Sequence, residues 1–242
     1  MSQLAEYIAS TRSVLREANS EIYDSGEDSY ESFVRRALRR YSIDKPFIKV
    51  SAITGASSIY ITVNETNLPG YIDHWSVIEG IEVKAPTVAS NEVPCFIERD
   101  EWDLYRNSTA LYIWLKNAKP PSSYTISVTY TIPHTINKLD SETVDTIPSL
   151  DFEAIVLWTA REASLMLAAK NSGTSDPTVR SDIVNYKTKS SEFRALSDKF
   201  KEAYQAWIHE PLKAAGLIRD LDFGFSHADN SAFLTHRSGS RN

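Results

Sequence analysis

The chain has 242 residues, of which 42% are hydrophobic and 24% charged, a composition ordinary for a folded protein with a sizeable core. Its formal net charge of −6 argues against a general nucleic-acid binder, which would need a basic surface. The single cysteine, Cys95, rules out an internal disulfide, and we expect neither a secretory signal nor an apolar run long enough to cross a membrane.

Two amphipathic helices are predicted near the start of the chain. In residues 2–19, Leu4, Ile8 and Leu15 recur at helical spacing and mark one apolar face. Residues 28–41 follow a polar loop and form the second predicted helix. Its apolar face comprises Tyr30, Phe33, Val34, Ala37, Leu38 and Tyr41. Both helices therefore need a buried surface on which to pack.

Four arginines lie opposite that apolar face, namely Arg35, Arg36, Arg39 and Arg40. They include two like-charged pairs at i,i+4, a spacing that costs a few tenths of a kcal/mol per pair. One interpretation is a solvated face with Glu31 nearby. The other is a basic patch that meets an acidic partner surface or a DNA backbone, and for an acidic chain we favour a protein partner. The four arginines are our candidates for inter-subunit contacts.

From Phe47 to Thr131 the hydrophobic period changes from that of a helix to two, the period of a strand. The clearest runs are residues 59–63, 75–83, 111–115 and 124–132, separated by Gly- and Pro-containing turns. Five to seven short strands at this spacing predict a small antiparallel sandwich or barrel. Residues 111–115 carry large apolar groups on both faces, which favours a central or covered strand.

Residues 148–208 are predicted to form two long helices joined by a short polar break. The first is apolar on most sides, which is typical of a helix buried in a core or between subunits. In the second, Tyr186, Phe193, Phe200 and Trp207 recur every seven residues and form an aromatic stripe. An antiparallel hairpin would pack this stripe on the first helix, and part of the stripe could also meet another copy of the chain.

The C-terminal segment, residues 216–242, shows neither period but is studded with apolar side chains, including Phe223, Phe225, Phe233 and Leu234. Such a segment suits an extended arm that docks on a neighbouring subunit or another protein. The alternative is a mobile terminus or one that docks on its own chain. The four residues are our candidates for docking to a neighbouring copy or another protein.

These elements together predict an α+β fold. A helical domain of residues 1–45 and 146–215 would combine the N- and C-terminal helices, with a long C-terminal helix hairpin. A small antiparallel β-sandwich or barrel, residues 46–145, would be inserted into it, and residues 216–242 would form the extended arm.

The sequence contains no recognisable catalytic, cofactor-binding or metal-binding pattern. No two of its five histidines share a metal-ligand spacing, and its eight glycines form no phosphate-binding loop. Cys95 lies between Pro94 and Phe96, where a small buried residue is a simpler interpretation than a nucleophile. We therefore expect a protein that is not an enzyme and has no cofactor.

The order of several motifs resembles the head–tail connector (neck or adaptor) proteins of tailed bacteriophages. These motifs are ALRRYSIDKP at 37–46, IYITV, LPG and WSVIEGIEV in the β region, EWDLY at 101–105, VTYTIPHTI at 128–136, TIPSLDFEAI and KEAYQAWI. They are packing and turn patterns spread over residues 28–208, and they contain no catalytic signature.

The resemblance implies a structural virion protein, located in the neck and assembled in the host cytoplasm. Its copies would form a ring, commonly dodecameric, between the portal of the capsid and a downstream neck or tail protein. Double-stranded DNA would pass through the ring without sequence-specific binding, and no membrane would be involved. The alternative function is a β-sandwich binding module that recognises a glycan or a protein, for which Trp75 and Trp114 are the residues to test.

Overall fold

The computed structural model describes residues 3–15, 22, 26, 28–85, 96–172 and 186–209, with side chains from residue 190 onwards in the last range. Within them the fold is α+β, with four α-helices and two antiparallel sheets. The helices are α1 (Leu4–Leu15), α2 (Tyr30–Asp44), α3 (Phe152–Ser172) and α4 (Tyr186–His209). The strands are β1 (Phe47–Thr54), β2 (Tyr60–Val63), β3 (Ile78–Lys84), β4 (Phe96–Ile97), β5 (Trp102–Arg106), β6 (Leu111–Leu115) and β7 (Thr125–Ile132).

The chain divides into two compact units. A helical unit takes its described residues from Met1–Tyr41 and Thr135–Asn242, and a β unit consists of Ser42–His134. The assignment of these parts to a connector domain, an inserted domain and an arm stays a prediction.

The predicted long C-terminal helix hairpin is wrong, and the helical part belongs to a mixed domain. Helix α3 packs on α1 as well as on α4. The hydrophobic core that these helices share also contains buried residues of α2. Three further members of that core, Ile136, Leu139 and Ile147, come from the connection that precedes α3. Because α3 buries residues on most of its sides, one partner helix cannot cover it.

Helix α2 begins with a side-chain cap. Ser29 accepts a hydrogen bond at its Oγ from the backbone N–H of Ser32, 3.3 Å away, which satisfies one of the free donors of the first turn. The apolar side is fully buried, with Tyr30, Phe33 and Val34 at most 1% exposed. Pro46 follows shortly after the last helical residue, Asp44, and cannot continue the helix.

None of the helices in the described part of the chain is long and apolar enough to span a membrane. Helix α3 has 21 residues, but Glu153, Arg161, Glu162 and Lys170 interrupt its apolar surface.

The β unit contains a four-stranded sheet in the order β1-β7-β3-β4 and a three-stranded sheet in the order β2-β6-β5. Every adjacent pair is antiparallel. Ile113 and Leu115 of β6 and Ile126, Val128 and Tyr130 of β7 are buried in one hydrophobic core. Both sheets therefore share a single apolar interior, supplied by every second residue of their strands.

The strand β6 coincides with the predicted residues 111–115 and is the central strand of its sheet. Its alternation fixes the two faces of that sheet. Ile113 and Leu115 are buried, whereas Tyr112 and Trp114, which point to the opposite side, are partly exposed.

Candidate interaction surfaces

Arg35, the first of the four arginines on α2, is engaged inside the helical unit. Its Nη2 lies 2.6 Å from Oδ1 of Asp140 and 2.9 Å from Oε1 of Glu31, and its Nε donates to Asp140 at 3.0 Å. This guanidinium holds the pKa of the Asp140 carboxyl below its usual range, and the same contact raises the pKa of Arg35. The pair ties α2 to the connection before α3, so Arg35 has a structural role.

The other three arginines are more exposed. The guanidinium of Arg36 approaches Asp28 at 3.9 Å and Glu162 at 3.7 Å, distances near the outer limit for ion pairs. Arg40 places its guanidinium carbon 5.5 Å from the centre of the Trp158 ring, a cation–π contact between α2 and α3. Arg39 is exposed, and its positive charge also helps to lower the pKa of Asp140. Arg36, whose cation–π contact with Phe33 stays within α2, and Arg39 are therefore the arginines of this helix best placed to meet another molecule.

The buried side of α2, away from its arginines, contacts the carboxylate of Asp151. Asp151 is 8% exposed and accepts hydrogen bonds from the hydroxyl of Tyr41 at 2.6 Å and from the indole N–H of Trp207 at 3.1 Å. Burial, followed by the bond to Asp151, raises the pKa of Tyr41, so its phenol stays protonated. The three side chains connect α2, the turn that immediately precedes α3, and the last turn of α4. We interpret this cluster as structural because it holds these elements in register.

A second surface is the outer face of the β2-β6-β5 sheet, which we call the aromatic face. The strand register places Tyr60 opposite Trp114, and Thr62 and Tyr105 opposite Tyr112 on its two sides. Asp103 lies opposite Trp114 on the other side. The aromatic face thus consists of Tyr60, Thr62, Asp103, Tyr105, Tyr112 and Trp114.

Three of these rings form a triangle. The ring centres lie 5.8 Å apart for Tyr60 and Tyr105, 6.0 Å for Tyr60 and Tyr112, and 6.4 Å for Tyr105 and Tyr112. Tyr60 is 43% exposed and Tyr105 is 47% exposed. Large exposed aromatic groups in a cluster are unusual on a monomer's surface and often mark an interaction site.

The aromatic face was only partly visible in the sequence. The period of two in residues 59–63 and 111–115 indicated that Tyr60, Tyr112 and Trp114 share the sides opposite the apolar residues. Residues 102–106, which form β5 and supply Tyr105, were not among the predicted strands, because Trp102, Asp103 and Leu104 alternate over only three residues before Arg106 occupies the next apolar position. The signal that would have revealed the triangle is the pairing of β5 with β6, which is a tertiary feature.

The remaining predicted site residues, Phe223, Phe225, Phe233 and Leu234, lie outside the described residues, as does Cys95. Among the residues that the structure does describe, no cluster of three His, Cys, Asp or Glu side chains could hold a metal ion.

The chain matches no protein-family model. No curated protein has significant sequence similarity to it.

Proposed function

We propose that this protein is a structural subunit of a phage head–tail connector, and that its copies form a ring between the portal and the tail. The proposal rests on the resemblance of residues 28–208 to that class of protein. Its support in the structure is the exposed arginine pair, Arg36 and Arg39, on a helix whose other side is fixed in the core.

A rigid helix is suited to carry such contacts. Helix α2 is capped by Ser29 and tied to the rest of the helical unit by the Arg35–Asp140 pair and by Tyr41, which binds Asp151. The arginines beside these ties are therefore presented in a fixed geometry, so little conformational entropy is lost when a partner binds. A partner surface rich in Asp and Glu would complement them, and this chain has 32 acidic residues against 26 basic ones.

A ring imposes one further condition on the surfaces. Contacts that close into a ring are head-to-tail, so each copy must present two different surfaces to its neighbours. In this proposal α2 supplies one of them, and an acidic surface of the next copy supplies the other. DNA would pass through an acidic ring without being held at its phosphates, because like charges repel.

The direct test is the mass and appearance of the purified full-length chain, alone and mixed with the portal protein of the phage or prophage that carries its gene. We expect rings by electron microscopy and a mass of many copies by light scattering. The double variant Arg36→Glu with Arg39→Glu should abolish ring formation while the circular dichroism spectrum stays unchanged.

A control is Lys119→Glu, which reverses one charge, as each half of the double variant does, at an exposed position of the β unit. It should assemble as the unchanged chain does. A chain that stays monomeric with and without the portal protein would overturn the proposal, and so would rings that are indifferent to the double variant.

A further inference from the structure

We propose that the aromatic face of the β unit is a binding site for a neutral, hydroxyl-rich glycan chain. This inference is independent of the connector proposal, because it rests on a different unit and on different residues. It begins from the Tyr60, Tyr105 and Tyr112 triangle beside Trp114, on the side of the sheet that faces away from the core.

Among the described residues, most side-chain polar atoms of the aromatic face are available to bind a ligand. Within the described part of the chain, the hydroxyls of Tyr60, Tyr105 and Tyr112 and the indole N–H of Trp114 have no hydrogen-bond partner. Asp103 uses Oδ1 to accept from the backbone N–H of Leu104 at 2.8 Å, which leaves its Oδ2 available. The surface thus combines exposed ring faces with both donors and acceptors.

That combination fits sugar rings. One side of a pyranose ring presents C–H groups that pack on an aromatic ring, while its rim carries hydroxyls that donate and accept hydrogen bonds. Tyrosine and tryptophan provide both functions, since each has an apolar body and a polar edge. The open, flat form of a sheet face suits a chain of sugar units better than a small enclosed ligand.

The lack of positive charge on the aromatic face disfavours anionic ligands among those that stack on aromatic rings. Its six positions contain one carboxylate, Asp103, and no lysine or arginine. Lys116, which follows β6, has its ammonium bound to the carbonyl oxygen of Asp100 at 2.8 Å. Single-stranded nucleic acids and sulfated glycans need cations along their backbone, so the surface favours a neutral glycan.

The test is titration calorimetry on the full-length chain with four probes. Cellohexaose, chitohexaose and maltohexaose are neutral and differ in linkage, and a sulfated heparin hexasaccharide is the anionic comparison. We expect at least one neutral probe to bind with a Kd of about 1 mM or tighter, and the heparin probe not to bind.

The variants Tyr60→Ala and Tyr105→Ala should each weaken that binding about tenfold, in line with the loss of one stacking partner. Tyr60→Phe keeps the ring and should weaken it less than Tyr60→Ala. Phe96→Ala is the matched control, because Phe96 is an aromatic residue, 63% exposed, on the other sheet. It should leave binding unchanged.

Three results would overturn the inference. The first is no binding of any of the three neutral probes at about 10 mM, a concentration far above the expected Kd. The second is binding that is unchanged in both alanine variants. The third is binding of the heparin probe as tight as that of the neutral probes. If the alanine variants instead disrupt assembly of the chain while glycans fail to bind, the aromatic face is a contact between copies. Thermal unfolding of each variant verifies that it is folded.

Discussion

The helical unit and the β unit use their polar side chains differently. In the helical unit, bonds such as Tyr41–Asp151 and Arg35–Asp140 join residues 110 and 105 positions apart in the chain. The β unit also makes such bonds, as between Ser51 and Tyr130, but among the described residues the hydroxyls of Tyr60, Tyr105 and Tyr112 on the aromatic face have no hydrogen-bond partner. The polar side chains of the helical unit therefore stabilise its own fold, whereas those of the aromatic face remain available to a ligand.

The largest expected effect concerns the two faces of the β2-β6-β5 sheet. Trp102 on the inner face is 1% exposed, and Trp102→Ala should lower the free energy of unfolding by about 3–5 kcal/mol through loss of burial and creation of a cavity. Trp114→Ala, on the outer face of the neighbouring strand, should cost about 1–2 kcal/mol. Urea unfolding measures both, and equal costs would contradict the assignment of the two faces.

The next largest effect is expected when the buried hydrogen bonds to Asp151 in the helical unit are removed. Asp151→Ala leaves the Tyr41 hydroxyl and the Trp207 indole N–H without their acceptor, and each loss costs about 1–3 kcal/mol when buried. We expect a decrease of about 2–4 kcal/mol in urea unfolding. Asp198→Ala, an exposed position on α4, is the control and should change stability by less than about 0.5 kcal/mol. Similar costs for the two variants would show that Asp151 does not hold the helices together.

A smaller, pH-dependent effect is expected for Asp140. Its pKa in the folded state is lowered mainly by Arg35, so the unfolded chain takes up the proton first as the pH falls. The stabilisation is therefore present above the ordinary pKa of about 3.9 and is lost as the pH falls through the lower folded-state value.

The variant Asp140→Asn should cost about 0.5–1 kcal/mol at pH 7, because the carboxylate is largely exposed to solvent. At pH values of about 2 this cost should be smaller than at pH 7. Asp198→Asn serves as the comparison. A cost of the same size at both pH values would mean that the charge of Asp140 is not what stabilises the unit.

The smallest effect on stability is expected for Arg39→Glu. Arg39 is exposed, so the substitution should change the free energy of unfolding by less than about 0.5 kcal/mol. Thermal unfolding followed by circular dichroism measures this directly. A loss of more than about 1 kcal/mol would place Arg39 with Arg35 among the residues that hold the helical unit together.

Periodicity in the sequence was sufficient to predict single elements, but not the way they combine. The alternation of Leu111, Ile113 and Leu115 identified β6 because a half-buried strand requires that spacing. The helix hairpin was wrong because Ile136, Leu139 and Ile147 lie in a polar stretch with no regular period, although all three belong to the helical core. Local patterns do not reveal which distant segment covers an apolar helix.

The candidate sites show the same division. The arginines of α2 were visible as a helical pattern, but the partner of Arg35, Asp140, lies 105 residues away and has no sequence signal of its own. Similarly, Tyr60 and Tyr112 belong to predicted strands, whereas their contact with Tyr105 depends on how β5 pairs.

Electron microscopy of a phage or prophage that lacks this gene would show whether the protein joins head to tail, as we propose. We expect separate DNA-filled heads and separate complete tails, restored to joined particles when the unchanged gene is supplied in trans. Intact, joined particles in the absence of the gene would contradict it.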